Sequence, residues 1–484
     1  MRQMKTPQPT IIEQNAPGGS CGGPSVAGAR ACDRSAQPGA DGRTIVVGLG
    51  RTGLSCVRYL RGLGLDFAVT DSRAAPPEAQ TLARLAPQAE ARYGAFEEAL
   101  LDGAAQVIVS PGVSLREPFL QAAASRGLPI VGDIELFARA ARAPVAAVTG
   151  TNGKSTVTTL VARMGEAAGR RVLAGGNLGP PALDLLAEPI PDLYALELSS
   201  FQLETTYSLR PAVATVLNVT PDHMDRYATP ADYAAAKSRI YVGSAAAVVN
   251  LDDPIARELP RGGARTLGFS VGTHPGADYC VEARDGDVAL LRAGETLALM
   301  SELRVAGLHN AANALAALAM CEALGYARGD CLRALREFPG LPHRSQRVAD
   351  VRGVRYVDDS KGTNVGATLA AVAGMPGSLV LIAGGQGKGQ DFSVFARALR
   401  DDMRGKVRHV VLIGADAARL AAALQGVASV EFARDMDEAV RRAAQAARPG
   451  ETVLLSPACA SLDMFRDYGH RGDEFAAAVR RMQS

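Results

Sequence analysis

The segment TGTNGKST at residues 149–156 constrains this chain most, because it stands between a short apolar run at 145–148 and a helix candidate at 157–168. A glycine loop that leaves a strand and opens a helix presents backbone N–H groups and the positive end of the helix dipole to phosphate. The lysine of such a loop reaches the β- and γ-phosphates, and the hydroxyl that follows ligates Mg²⁺. Those roles fall on Lys154 and Ser155, within the loop Gly150, Thr151, Asn152, Gly153, Lys154, Ser155 and Thr156. The usual spacing of this loop would place glycine where Val148 stands, so the generic motif is met in its second half only. A strand, phosphate loop and helix in succession also imply a parallel sheet with helices on its faces.

An earlier glycine turn, GLGRTG at 48–53, follows the β-branched run at 44–47 and precedes helical spacing over 54–63. A further apolar run at 67–70 then ends at Asp71. Strand, glycine turn, helix and acidic strand end match a dinucleotide fingerprint and suggest NAD. The same geometry holds any diphosphate that carries a sugar, a UDP-sugar included, so the motif alone leaves both readings open.

At 484 residues the chain is long enough for two to four domains with separate cores. Residues 1–43 are rich in Gly, Pro, Gln and Ala without helical or strand period, as in a flexible tail. A first α/β domain is expected over 44–142. A second, over 143–340, takes in apolar runs at 193–196, 214–217 and 246–249 that suit buried parallel strands. FPGLP at 338–342 reads as a hinge, and runs at 354–357, 379–383, 410–413 and 452–455 then build a third domain over 341–484.

Lys plus Arg number 52 against 50 for Asp plus Glu, so no global field recommends nucleic acid or an anionic membrane as partner. The seven cysteines are scattered, with only Cys321 and Cys331 near each other, as expected of reduced packing thiols in a cytoplasmic protein. No apolar run approaches the roughly 20 residues that span a bilayer, and no signal peptide is expected at the N-terminus.

Three polar residues beyond the phosphate loop are candidates for chemistry. Glu197 in LELSSFQLE follows a buried run, and a carboxylate at the C-terminal end of a strand suits Mg²⁺. His223 in NVTPDHMDRY is either a metal ligand or a satisfied loop histidine. Lys237, in the Ala-rich run YAAAKSRIY, reads on propensity as a helix-surface lysine.

GTNGKST, together with ELSSFQLE, NVTPDHMDRY, HNAANALAA, GLPHR, DDSKGTN, GGQGKGQDF and SPACASLDMF, resembles the Mur ligase family over about residues 44–484. The resemblance implies three domains: an N-terminal Rossmann-like one for a UDP-sugar, a central P-loop ATPase with a parallel sheet, and a C-terminal Rossmann-like one for an amino acid. LELSSFQLET, NVTPDHMDRY and SPACASLDMF look like the branch of the family that joins D-glutamate to UDP-N-acetylmuramoyl-L-alanine with ATP.

By the same resemblance, Lys154, His223, Lys237 and Lys361 are catalytic. Mg²⁺ is held by Ser155, Glu197, His223 and Lys237, the last as an N-carboxylated carbamate. Asn310, Asn313, Arg344 and Asp359 reach the nucleotide. Gly50, Arg51, Thr52, Asp71, Ser72 and Arg73 bind the uridine and diphosphate, and Asn177 and Ser199 the muramoyl part. D-glutamate is held by Thr363, Lys388, Ser461 and the ring of Tyr468, where the family often has phenylalanine. By composition alone, Lys388 is a solvated loop lysine and Ser461 a turn serine. A monomer is expected. A sibling muramoyl-peptide ligase, a folylpolyglutamate-type ligase and an NAD-dependent oxidoreductase are the alternatives.

Overall fold

The computed structural model describes residues 42–259 and 261–482. The tail expected over residues 1–43 lies outside the described residues except at its end, where Arg43 already opens the first strand, Arg43–Val47.

Three sheets follow one another along the chain. The first has five parallel strands, with Arg43–Val47 at its centre between Phe67–Asp71 and Ala104–Val109. The three central strands are mostly apolar or β-branched because helices cover both faces. The glycine turn after Arg43–Val47 leads into the helix Arg51–Gly62. Gly53 is obligatory there: a Cβ on it would lie 1.9 Å from the carbonyl oxygen of Gly48, so only glycine lets helix and strand approach this closely.

The second sheet has nine strands. Val145–Thr149 lies between Leu193–Glu197 and Val213–Val216, all three parallel. The chain reaches Leu193–Glu197 by way of the edge strand Val172–Gly176, then crosses to the other side of Val145–Thr149. This reversal makes a topological switch point beside the phosphate loop, where open α/β sheets bind ligands. Beyond Arg265–Ser270 the sheet ends in Tyr279–Arg284, Asp287–Arg292 and Glu295–Leu299, the last two antiparallel.

The third sheet has six strands: Thr452–Leu455 is flanked by Val354–Asp358 and Leu379–Gly384 in parallel, and Gln346–Val351 forms an antiparallel edge.

The expectation of separate cores needs correction between the first two sheets. One buried cluster runs from Val46, Leu60 and Phe67 to Tyr194, Leu196 and Val216. The Arg58–Asp184 ion pair at 2.5 Å and the Arg51 Nη2 hydrogen bond to the Gly179 carbonyl at 2.8 Å add polar ties across the same boundary. Apolar area shared in this way fixes one sheet against the other more firmly than a polar seam would.

Gly53→Ala should lower the unfolding free energy by at least about 1–3 kcal/mol, the cost of overpacking against an atom that cannot retreat. Urea denaturation checks it, with Gly50→Ala as control, since a Cβ on Gly50 meets nothing within 4 Å.

Candidate active site

The loop after Val145–Thr149 is shaped by Gly153, whose φ of +84° suits glycine and where a Cβ would stand 2.4 Å from Asn313 Oδ1. The helix Lys154–Ala167 starts at the next residue. Lys154 Nζ turns back to donate to the carbonyls of Gly150 and Thr151, each at 2.9 Å. Lys237 Nζ donates to the same Gly150 carbonyl at 2.9 Å.

Lys237 is therefore no helix-surface residue. It is 1 % exposed, near the end of the helix Pro230–Ser238, with its ammonium 4.4 Å from the centre of the Tyr233 ring. Burial, then the neighbouring charge of Lys154, pushes its pKa well below that of an ordinary lysine. Enclosure lowers Lys154 in the same sense, against the opposing pull of Glu197 and Asp222.

Glu197 ends its strand opposite Val148. Its Oε1 accepts from Asn177 Nδ2 at 2.7 Å, whereas Oε2 is buried without a hydrogen-bond partner among the described residues. Burial raises this carboxyl, but the Lys154 ammonium, the Ser155 hydroxyl and the Asn177 amide outweigh it and keep the group ionised. An ionised oxygen with no donor beside a phosphate loop fits a hard divalent cation. His223 sits in the turn after Val213–Val216 at φ +57°, and burial lowers its pKa to about 4, so the imidazole is neutral and able to ligate. Among the described residues no three His, Cys, Asp or Glu side chains gather as a metal cage. The expected ligand set contains only two such residues and depends on Ser155 and Lys237 for the remainder.

A cavity of about 260 Å³ adjoins the loop. Asn152, Gly153, Thr156, Asn310, Asn313, Arg344 and Asp359 line it, whereas Gly150, Thr151, Lys154 and Ser155 do not. The reason is local. Lys154 is folded onto the loop carbonyls, and Ser155 Oγ accepts from Arg344 Nη2 at 2.7 Å. A cation that takes the Ser155 hydroxyl must exchange that hydrogen bond.

Sequence reasoning missed Asn218, Thr220, Asn250 and His309 in this lining. Asn218 and Asn250 each lie just past or at the end of a buried strand, a position that could have flagged them. Asn218 Oδ1 accepts from the Asn152 N–H at 2.8 Å, and its amide donates to the Asn152 carbonyl at 3.0 Å.

The C-terminal sheet contributes Lys361 to the same lining. Burial, then Arg344 and Lys154, lowers its pKa to about 7, and its Nζ lies 3.8 Å from the centre of the Tyr468 ring. Asp359 is raised to about 7, chiefly by burial. Lys388 is not a solvated loop lysine: at φ +50°, its Nζ stands 3.8 Å from Asp222 Oδ1. Thr363, Lys388, Ser461 and Tyr468 line neither this cavity nor the one described next. Ser461 is 3 % exposed, more deeply placed than a turn serine.

A second cavity, about 610 Å³, opens at the C-terminal ends of the first sheet. Gly50, Arg51, Thr52, Asp71, Ser72, Arg73 and Asn177 line it, with Ser110, Pro111, Gly112 and Val113 from the turn after Ala104–Val109. Asp71 is locked by the Leu49 N–H at 2.7 Å and by the Arg73 guanidinium at 2.6 Å. Ser199 does not line it. Its hydroxyl caps the helix Ser200–Glu204 by accepting from the Gln202 N–H, and Gln202 takes its place in the cavity wall.

Three family models match the chain in order: Mur ligase MurD-like, N-terminal domain, over residues 42–132; Mur ligase middle domain over 148–321; and Mur ligase, glutamate ligase domain, over 343–459. The UDP-N-acetylmuramoylalanine--D-glutamate ligase of Nitrosococcus oceani is 51 % identical over 450 residues, covering 93 % of this chain and 98 % of that one. The protein of that name from Pseudomonas aeruginosa is 50 % identical, covering 90 % and 98 %. Among solved structures, a pseudomurein peptide ligase type C from Methanothermus fervidus matches with a TM-score of 0.58 at 16 % identity, covering 91 % and 100 %. A UDP-N-acetylmuramate-alanine ligase from Thermotoga maritima matches with a TM-score of 0.58 at 19 % identity, covering 91 % and 99 %. At these identities the structural likeness speaks for the fold.

Lys361→Met should stabilise the protein in a pH-dependent way. A lysine with folded pKa near 7 and unfolded pKa near 10.5 binds fewer protons when folded, so wild-type stability falls as pH drops between those values. The advantage of the variant should grow from pH 10 to pH 7, reach at most roughly 5 kcal/mol, and level off below. Denaturant midpoints across that range check it.

Proposed function

The chain belongs to the Mur ligase family, ATP-dependent ligases that form amide bonds, and on that premise we propose that it joins D-glutamate to UDP-N-acetylmuramoyl-L-alanine in peptidoglycan precursor synthesis. The observation that carries this reading is the Asn177–Glu197 hydrogen bond. Asn177 lines the cavity beside the first glycine turn, and Glu197 ends the strand next to the phosphate loop. This adjacency of the two walls supports the reading that a UDP-linked substrate in one cavity would lie next to the phosphate loop of the other.

The reaction brings anions together. The substrate's alanine carboxylate takes the γ-phosphoryl group of ATP, giving an acyl phosphate and ADP. The D-glutamate amine then attacks the acyl carbon, phosphate leaves, and the amine proton is lost as the amide forms. Lys154 holds positive charge at the loop, with Arg344 and Lys361 across the cavity, and preorganised cations of this kind stabilise transferring phosphoryl groups. Lys361, with a pKa near 7, is also placed to take or return a proton at neutral pH. Ser155, Glu197 and His223 would hold Mg²⁺, together with a carbamate on Lys237, and the ion would supply charge neutralisation between the phosphates. The low pKa of Lys237 supports its share, because a neutral amine can add CO₂. Thr363, Lys388, Ser461 and Tyr468 remain the residues assigned to D-glutamate.

Phosphate release from ATP with UDP-N-acetylmuramoyl-L-alanine should require D-glutamate and stay at background with L-glutamate, L-alanine, L-lysine or meso-diaminopimelate. Equal turnover with a second amino acid would overturn the assignment. Lys154→Ala should cut turnover at least about a hundredfold with folding nearly unchanged.

Lys237→Ala should lose most activity and regain part of it in acetate or formate, which can occupy the vacated space. Lys237→Arg should gain nothing from either anion. Full activity of Lys237→Ala in bicarbonate-free buffer would remove the carbamate.

A further inference from the structure

We infer that Arg226 is a positioning residue that ties the wall of the UDP-substrate cavity to the loop carrying His223, so that the UDP-substrate and ATP bind with positive coupling. The inference rests on the function proposed above and deepens it.

The segment between the strand Val213–Val216 and the helix Pro230–Ser238 serves both cavities. Near its start, Asn218 and Thr220 line the nucleotide cavity. Near its end, Arg226 reaches across to the first sheet, where Nη1 donates to the Pro111 carbonyl at 3.0 Å and Nη2 to the Val113 carbonyl at 2.9 Å. Those carbonyls flank Gly112, and Ser110, Pro111, Gly112 and Val113 all line the UDP-side cavity.

The rest of the side chain is fixed too. Its guanidinium lies 4.3 Å from the centre of the Phe201 ring and 3.5 Å from Glu204 Oε2. Phe201 in turn meets the His223 ring edge-on at 4.9 Å. One planar cation thus joins the substrate wall, an aromatic ring and the histidine turn. A ligand that draws residues 110–113 toward itself would act through Arg226 and Phe201 on the turn that carries His223. A lysine cannot reproduce the two diverging donors, because its ammonium is a point charge on a flexible stem.

Coupling between two ligands is read from binding alone. Titration calorimetry would follow a non-hydrolysable ATP analogue binding to wild type, Arg226→Met and Arg226→Lys, with and without saturating UDP-N-acetylmuramoyl-L-alanine. Wild type should bind the analogue at least about fivefold more tightly when the UDP-substrate is present, the lower end of ordinary coupling. In Arg226→Met that factor should fall below about twofold while affinity for the analogue alone is unchanged, and Arg226→Lys should lie between. Unfolding midpoints establish that each variant is folded.

Absence of coupling in wild type overturns the inference, as does wild-type coupling in Arg226→Met. A variant that weakens both ligands equally but keeps their coupling overturns it as well, since that is the signature of a structural tie. Failure of wild type to bind the UDP-substrate at all would instead overturn the proposed function, and the inference with it.

Discussion

Two ammonium groups, Lys154 and Lys237, share one peptide oxygen at the centre of this molecule, the Gly150 carbonyl. Like charges this close, one of them wholly buried, oppose folding, and both amines are pushed toward neutrality. Glu197 and Asp222 offset part of that repulsion. On the proposal above, Lys154 is the cation oriented for phosphate and Lys237 the amine made ready for CO₂, and the cost of placing both is met when the chain folds and not when the substrate arrives. The surrounding rigidity follows from the same need. The Asn152–Asn218 pair, the Arg344–Ser155 bond and the Asn152–Asn364 contact at 3.1 Å each hold the loop from a different side.

Parallel sheets bring these groups together because their strands all end on one side. Val145–Thr149 supplies the phosphate loop, Leu193–Glu197 the carboxylate and Val213–Val216 the segment with Asn218, Thr220 and His223. The first sheet turns its own strand ends toward the same region, and the apolar cluster shared with the second sheet keeps the two sets of strand ends in register. Shared hydrophobic area is non-directional, so directed contacts must specify the angle. Arg58–Asp184, Arg51–Gly179 and Arg226 with its two carbonyls have that character.

Much of the fold was legible because buried parallel strands are short apolar runs that polar or glycine turns interrupt. The runs at 193–196, 246–249 and 452–455 lie within or coincide with the strands Leu193–Glu197, Ala246–Asn250 and Thr452–Leu455. What composition could not show was burial imposed from a distance. Lys237 on an Ala-rich helix and Lys388 in a glycine loop carry no local sign that tertiary packing buries the first and sets the second beside Asp222. Ser199 shows the converse limit. Its place in SSFQLE is also that of a capping box, and the cap claims the hydroxyl, leaving Gln202 three residues on to face the cavity. The cores were expected to be separate because periodicity reports each element's apolar face without saying which neighbour covers it.

Some of the backbone strain falls in the same region. His223, His343, Ser345 and Lys388 all hold positive φ without being glycine, at φ +57°, +59°, +48° and +50°. Such conformations cost on the order of 1 kcal/mol or more each and persist where surroundings over-determine them. His343 has its Nδ1 at 2.7 Å from Asp358 Oδ2, and Ser345 gives its N–H to Asp359 Oδ1 at 3.1 Å. Those two contacts bracket Arg344, whose guanidinium reaches the phosphate-loop serine, so the strained turn aims it. The loops that carry His223 and Lys388 meet at Asp222 in the same way. Part of the local strain thus falls where charged groups from two sheets must converge on one small volume, and the large apolar cores elsewhere provide the stability that tolerates it.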